Sequence, residues 1–193
     1  MTFKFISTAL IAASLLISGC NDSAPAASAK AGSVPVSVAA IAADATGFVV
    51  GAPMSARTVY VFFDSQCPHC SALWYAAKPL KSQAKFIWIP VGILNDASTS
   101  QGAALLAAAD PAAAMDAHEA SMVARSGGIS ARSDTDAQKA AVAKNTTLLT
   151  NFGFASIPTI VGTHAGTGAL VTQEGAVSTE ALAKLLGLQV PAQ

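Results

Sequence analysis

The stretch Val59–Cys70, VYVFFDSQCPHC, decides the reading of the chain. Its first five residues are a continuous apolar, β-prone run, the pattern of a strand covered on both faces. Pro68 suits the first position of a helix, where a missing N–H costs nothing. Cys67 then falls at the N-cap, with its sulfur facing unpaired backbone N–H groups and the positive end of the helix dipole, so thiolate is favoured over thiol. Cys70 lies one turn further in, near enough to close a disulfide and more covered. Cys67 is therefore predicted to attack and Cys70 to resolve. A partly protonated His69 between them would add to the stabilisation, and each unit of pKa depression represents about 1.4 kcal/mol. Stabilising the reduced form makes the disulfide a stronger oxidant, so the motif suggests a disulfide donor.

Working outward, Pro68 to Ala84 is predicted as a helix with Leu73, Ala77, Leu80 and Ala84 on one stripe and a kink at Pro79. Phe86 to Ile93 is a second buried strand. Strand, helix, strand implies a parallel pair, and Phe48 to Val50 is a short strand before it. From about 100 to 151 the chain becomes alanine-rich, and three helices fit, about 101–109, 111–125 and 134–151, with Asp110 and Pro111 as N-cap and first residue. Strands return at Thr159 to Gly162 and Ala169 to Gln173, and a helix from Ser178 to Leu186 closes the chain. The class is α/β, with a helical insertion between a βαβ half and a ββα half.

The chain has 193 residues, 11 basic and 11 acidic, with 52% apolar and 11% charged. That balance excludes a nucleic-acid binder, which carries a basic stripe, and a disordered chain, which needs high net charge. Residues 1–19, with Lys4 ahead of the apolar run Phe5 to Ile17, read as an export signal whose core is too short for a permanent span. The leader ends Ile17-Ser18-Gly19-Cys20, which resembles a bacterial lipobox and makes Cys20 the expected lipidated residue. The other reading is ordinary cleavage near Gly19 that leaves a spare thiol. Residues 20–46 are expected to be the anchored cysteine and a flexible tether, and 47–190 the catalytic domain.

Other readings of the cysteine pair stay open. Zinc wants about four ligands and no second cysteine pair exists, and His118 and His164, which lack ligand spacing, read as surface or satisfied histidines. A structural disulfide closing so short a loop would stabilise little. Copper(I) on Cys67, His69 and Cys70 is the main rival, since soft thiolates suit it, and a redox-inactive assembly module is the blandest. Asp64 either influences proton traffic at the pair or is an exposed turn aspartate. Trp74 and Trp88 read as core, and the sequon Asn145-Thr146-Thr147 as chance.

With these residues placed, the chain resembles the thioredoxin fold of bacterial periplasmic disulfide oxidoreductases, and within it the DsbG/DsbC-like interchange proteins. The resemblance rests on Val59-Tyr60-Val61-Phe62 with Asp64 and Cys67-Pro68, on Trp74 and Pro79, on Asp110-Pro111 followed by Glu119-Ala120-Ser121, and on Ile157-Pro158 opening a strand, and it spans about residues 47 to 187. It implies that Pro158 is a cis-proline facing the disulfide and that Ile157 offers backbone hydrogen bonds to a bound peptide. It also implies a periplasmic enzyme without metal or cofactor beyond the Cys67–Cys70 disulfide; the lipobox makes the expected enzyme lipid-anchored, and the shortness of residues 21–46 makes it an expected monomer. Its partners would be exported proteins with reduced or oxidised cysteines and a membrane redox partner of the DsbB or DsbD type. Three features depart from DsbG: His69 stands where it has Tyr, as in the oxidase DsbA; Ile157 stands where it has Thr; and residues 21–46 are too few for its dimerisation domain.

Overall fold

A computed structural model describes residues 33–190; the leader, Cys20 and the first part of the expected tether lie outside the described residues. The elements run α1 (Val38–Asp44), β1 (Phe48–Gly51), β2 (Thr58–Asp64), α2 (Pro68–Ala77), β3 (Lys85–Val91), α3 (Asp96–Leu106), α4 (Pro111–Val123), α5 (Asp136–Asn151), β4 (Thr159–Thr163), β5 (Leu170–Glu174) and α6 (Thr179–Leu186). The strands form one sheet in the order β1-β3-β2-β4-β5. Only β2 and β3 are parallel, with Val61 opposite Trp88, and the other three pairings are antiparallel. The crossover α2 joins the parallel pair, and α3, α4 and α5 form the insertion before β4, β5 and α6.

β2 is buried from Val59 to Asp64, as its unbroken apolar run requires when helices cover both faces of a central strand. Beneath the C-x-x-C helix lies a chain of edge-to-face aromatics. Phe48 meets Phe63 at 6.0 Å, Phe63 meets Trp88 at 5.6 Å, and Trp88 meets Trp74 at 4.9 Å, which ties β1, β2, β3 and α2 together. Each such contact adds about 0.5–1.5 kcal/mol beyond area burial. The indole N–H of Trp74 donates to Asp116 at 2.8 Å, which fixes α2 to α4.

Three boundaries differ from the sequence reading. The stretch expected as tether contains α1, capped by Ser37 and anchored by the fully buried Ile41. Lys144 pairs with Asp44, and the Val34 N–H donates to the Asn151 carbonyl at 2.8 Å, so this segment belongs to the folded domain. The helix from Pro68 ends at Ala77 rather than kinking, and a 3-10 turn, Lys78–Leu80, carries Pro79, whose absent N–H cannot continue the α ladder. The insertion starts at Asp96, because Asn95 and Ser98 form a reciprocal capping box. The sequon has a structural use: buried Asn145 accepts from the Thr46 N–H and donates to the Thr46 and Pro90 carbonyls, pinning the start of β1 to the end of β3.

Candidate active site

Cys67 is the N-cap of α2, with extended backbone (φ −95°, ψ 114°) and Pro68 next to it. Its sulfur makes no conventional capping bond; the His69 and Cys70 N–H groups act on it as an electrostatic fringe. Both thiols are reduced, Cys67 7% exposed and Cys70 fully buried. The Cys67 pKa falls from 9.0 to about 6, and the leading cause is the Cys70 S–H donating to its sulfur; the backbone N–H groups of Cys70 and His69 follow, then the His69 charge, all against the cost of burial. Burial pushes the Cys70 thiol far up, and the neighbouring Cys67 pushes it further. The pair is thus polarised into one sulfur that ionises and one that holds its proton, the asymmetry required of attacking and resolving thiols. His69 is exposed, and its charge is the smallest of the named contributions.

The Ile157–Pro158 peptide is cis, and both residues are buried at the start of β4. The Cys67 sulfur lies 3.9 Å from the Ile157 carbonyl oxygen, so this turn forms the wall opposite the helix N-terminus. Antiparallel pairing of β4 with β2, Phe62 opposite Thr159, brings the two sites together although 90 residues separate Cys67 from Ile157.

Asp64 is no exposed turn residue: it is fully buried at the end of β2. Its carboxylate accepts three backbone N–H bonds, from Gln66 at 2.9 Å, Ile93 at 2.8 Å and Leu94 at 3.0 Å. It therefore clamps the Ser65–Gln66 turn to the loop after β3. Its charge also adds to the forces raising Cys70, which is its electrostatic link to the pair.

The insertion supplies residues that sequence reasoning did not assign to the site. His118 is fully buried, donates from Nε2 to the Ser65 carbonyl at 2.7 Å and accepts from the Ile129 N–H at Nδ1, which fixes the neutral ring in one tautomer. Burial lowers its pKa. Gln101 donates to the Gly127 and Ile129 carbonyls and accepts from Gln66, one residue before Cys67. Glu119 is 1% exposed, and burial raises its pKa to about 7 against the opposing influence of the Ser71 side chain. A signal was available in the spacing, since Met115, His118 and Glu119 fall at i, i+3 and i+4 on one buried face of α4. Among the described residues no three His, Cys, Asp or Glu side chains are arranged to hold a metal ion. Among those residues no helix is long and apolar enough to cross a membrane.

Comparison with known proteins gives the same picture. Residues 43–177 match the family model described as Thioredoxin. A curated relative, thiol:disulfide interchange protein DsbG of Pseudomonas aeruginosa, is 35% identical over 137 residues, which are 68% of this chain and 51% of the relative. The chain thus spans about half the length of that relative. The catalytic domain of Proteus mirabilis ScsC superposes with a TM-score of 0.57 at 18% identity, covering 77% of this chain and 96% of that one. The thiol-disulfide exchange protein alpha-DsbA2 of Wolbachia pipientis gives 0.57 at 20% identity over 73% of this chain and 86% of that one. With the strand order, the C-x-x-C at the head of the crossover helix and the matched span in agreement, the chain belongs to the thioredoxin family.

Proposed function

We propose that the protein is a thiol:disulfide oxidoreductase that exchanges disulfides with exported proteins through Cys67 and Cys70, acting chiefly as a disulfide donor. The observation that carries the reading is the polarised pair, with a thiolate-favouring Cys67 at the N-cap of α2 and Cys70 sealed behind it. In the oxidised protein, a substrate thiolate attacks the Cys67 sulfur and breaks the Cys67–Cys70 bond; the Cys70 sulfur leaves and takes a proton. The substrate's second thiolate then attacks its own sulfur in the mixed disulfide and expels Cys67 as thiolate, a good leaving group because its pKa is low. Two electrons pass from substrate to pair, and no cofactor is required. Ile157 and Pro158 would hold the substrate backbone alongside Cys67.

Run backwards, the same steps reduce a substrate disulfide, which is the alternative direction. The reading places the protein in the periplasm, held by lipid on Cys20 and reset by a membrane redox partner. Two measurements test it. Cys67→Ala is expected to abolish exchange with a reduced, unfolded protein, and retained exchange refutes the assignment. Equilibration with glutathione sets the direction: a potential as low as that of thioredoxin, about −270 mV, would sink the donor role.

A further inference from the structure

The end of the molecule opposite the cysteine pair is built from four short segments that meet around the start of β3. The Ala52 N–H donates to the Ala84 carbonyl at 3.1 Å and the Lys85 N–H to the Arg57 carbonyl at 2.8 Å, so the β1–β2 loop lies against the turn before β3. Gln83 exchanges two hydrogen bonds with the Gln189 backbone, at 2.7 and 2.9 Å. The Ala165 N–H donates to the Leu186 carbonyl at 2.8 Å, which adds the β4–β5 turn to the last turn of α6.

These segments, residues 52–58, 81–85, 163–169 and 184–190, carry Arg57, Lys81, Lys85 and Lys184 and no Asp or Glu. Among the described residues none of the four cations is in an ion pair, whereas Lys78, Arg132, Lys139 and Lys144 all are. The carboxylates of neighbouring elements leave them unmatched: Asp116 pairs with Lys78, Asp110 caps α4, and Glu180, one turn before Lys184 on α6, does not pair with it. Four charges of one sign therefore share one end of a chain whose 11 basic and 11 acidic residues balance. Met54 stands among them in the β1–β2 loop, 94% exposed, where the fold gives its side chain no cover. Lys81 borders an open groove of about 490 Å³ together with Gly51, Ala52 and Ser82.

We propose that this basic end is a docking surface for an anionic phospholipid bilayer, with Met54 entering the headgroup layer and the four cations on lipid phosphates. A protruding apolar side chain among unpaired Lys and Arg suits a charged interface, where apolar burial and electrostatic attraction act together. The sequence favours a bilayer over an acidic protein as the occupant, because residues 1–19 read as an export signal ending at the lipobox-like Cys20. Lipid on Cys20 would keep the domain within reach of the surface. β2 runs from this end to the cysteine pair over about 20 Å, so the docked molecule turns Cys67 and the Pro158 turn away from the bilayer and towards soluble substrates. Docking itself does not depend on disulfide exchange.

The test measures sedimentation of the unlipidated full chain with vesicles of phosphatidylglycerol and phosphatidylcholine in equal parts, or of phosphatidylcholine alone. Arg57→Gln, Lys81→Gln, Lys85→Gln and Lys184→Gln should each weaken binding to the anionic vesicles about fivefold, and high salt should remove the difference. Arg125→Gln removes an unpaired cation from the other end, beside the loop that Gln66 holds, and should change nothing. None of these five side chains makes a hydrogen bond or ion pair among the described residues, so the variants keep the fold, and the leader is common to every protein compared. Met54→Trp supplies a second readout: its emission should shift to the blue on anionic vesicles alone, over a constant background from the buried Trp74 and Trp88. Binding that ignores vesicle charge, a loss at Arg125→Gln equal to the others, or an unshifted Met54→Trp emission would overturn the proposal. So would self-association lost in the same four variants, which would make this end an interface between copies.

Discussion

Replacing Cys70 by alanine tests what lowers the Cys67 pKa. The fall from 9.0 to about 6 is worth about 4 kcal/mol of preference for thiolate. Its first cause is one hydrogen bond, from the Cys70 S–H to the Cys67 sulfur. A hydrogen bond to a charged group contributes about 1.5–3 kcal/mol, or one to two powers of ten in the acid constant. Cys70→Ala should therefore raise the Cys67 pKa to about 7–8, leaving the helix N-terminus and His69 to supply the remainder. Cys70→Ser keeps a donor at the same place and should stay much nearer the wild type. His69→Ala should move the value least, because the ring is exposed and its charge is the smallest contribution. Thiolate absorbance at 240 nm against pH, on fully reduced protein, reads all three. A Cys70→Ala value still near 6, or a larger shift from His69→Ala than from Cys70→Ala, would refute the ranking.

Two stability predictions follow from the supports around the pair. Asp64→Ala leaves three backbone N–H groups without their acceptor, and urea unfolding should show a loss of about 2–4 kcal/mol; a loss below about 1 kcal/mol would mean that water replaces the carboxylate. Gly128 has φ +86° and a Cβ there would come within 2.4 Å of His118 Cε1, whereas Gly127 has the same φ with open space around it. Gly128→Ala should lower the Tm clearly more than Gly127→Ala, whose cost is backbone strain of about 1 kcal/mol, and equal losses would show that His118 yields freely.

The parts of the fold carried by local pattern were legible: the apolar run of β2, the Pro68 start of α2, the Asp110 cap of α4 and the start of α6 near Ser178 each rest on a few adjacent residues. The C-x-x-C chemistry was legible for the same reason, since N-cap geometry is local. What failed depends on distant partners. Asp64 looks like a turn residue until Ile93 and Leu94 return to it, and no local pattern marks Asn145 as the residue that ties Thr46 to Pro90. Along the chain the dipole and His69 are the visible causes of a low Cys67 pKa, whereas the Cys70 S–H leads once the side chains face each other. α1 was missed because a single isoleucine anchors an alanine-rich turn, and such a short helix forms only by docking.

His118 and Glu119 are neighbours on α4 with opposite proton linkage, and together they should flatten the acid stability profile. Glu119 has its folded pKa raised, mainly by burial, from 4.5 to about 7. Its contribution is therefore fully present below 4.5 and lost as pH rises through about 7, so acidification strengthens the fold by up to about 3 kcal/mol. His118 has its folded pKa lowered below 6.5, mainly by burial. Its contribution is present above 6.5 and lost as pH falls through the folded value, because the unfolded chain binds the proton more tightly. Urea unfolding of the oxidised protein, in which Cys67 does not titrate, should separate the two. Glu119→Gln should steepen the loss of stability between about pH 7 and 5, and His118→Asn should make stability rise over the same interval. Parallel profiles for wild type and both variants would show that neither group changes its proton affinity on folding, and burial would then not be what sets their charge.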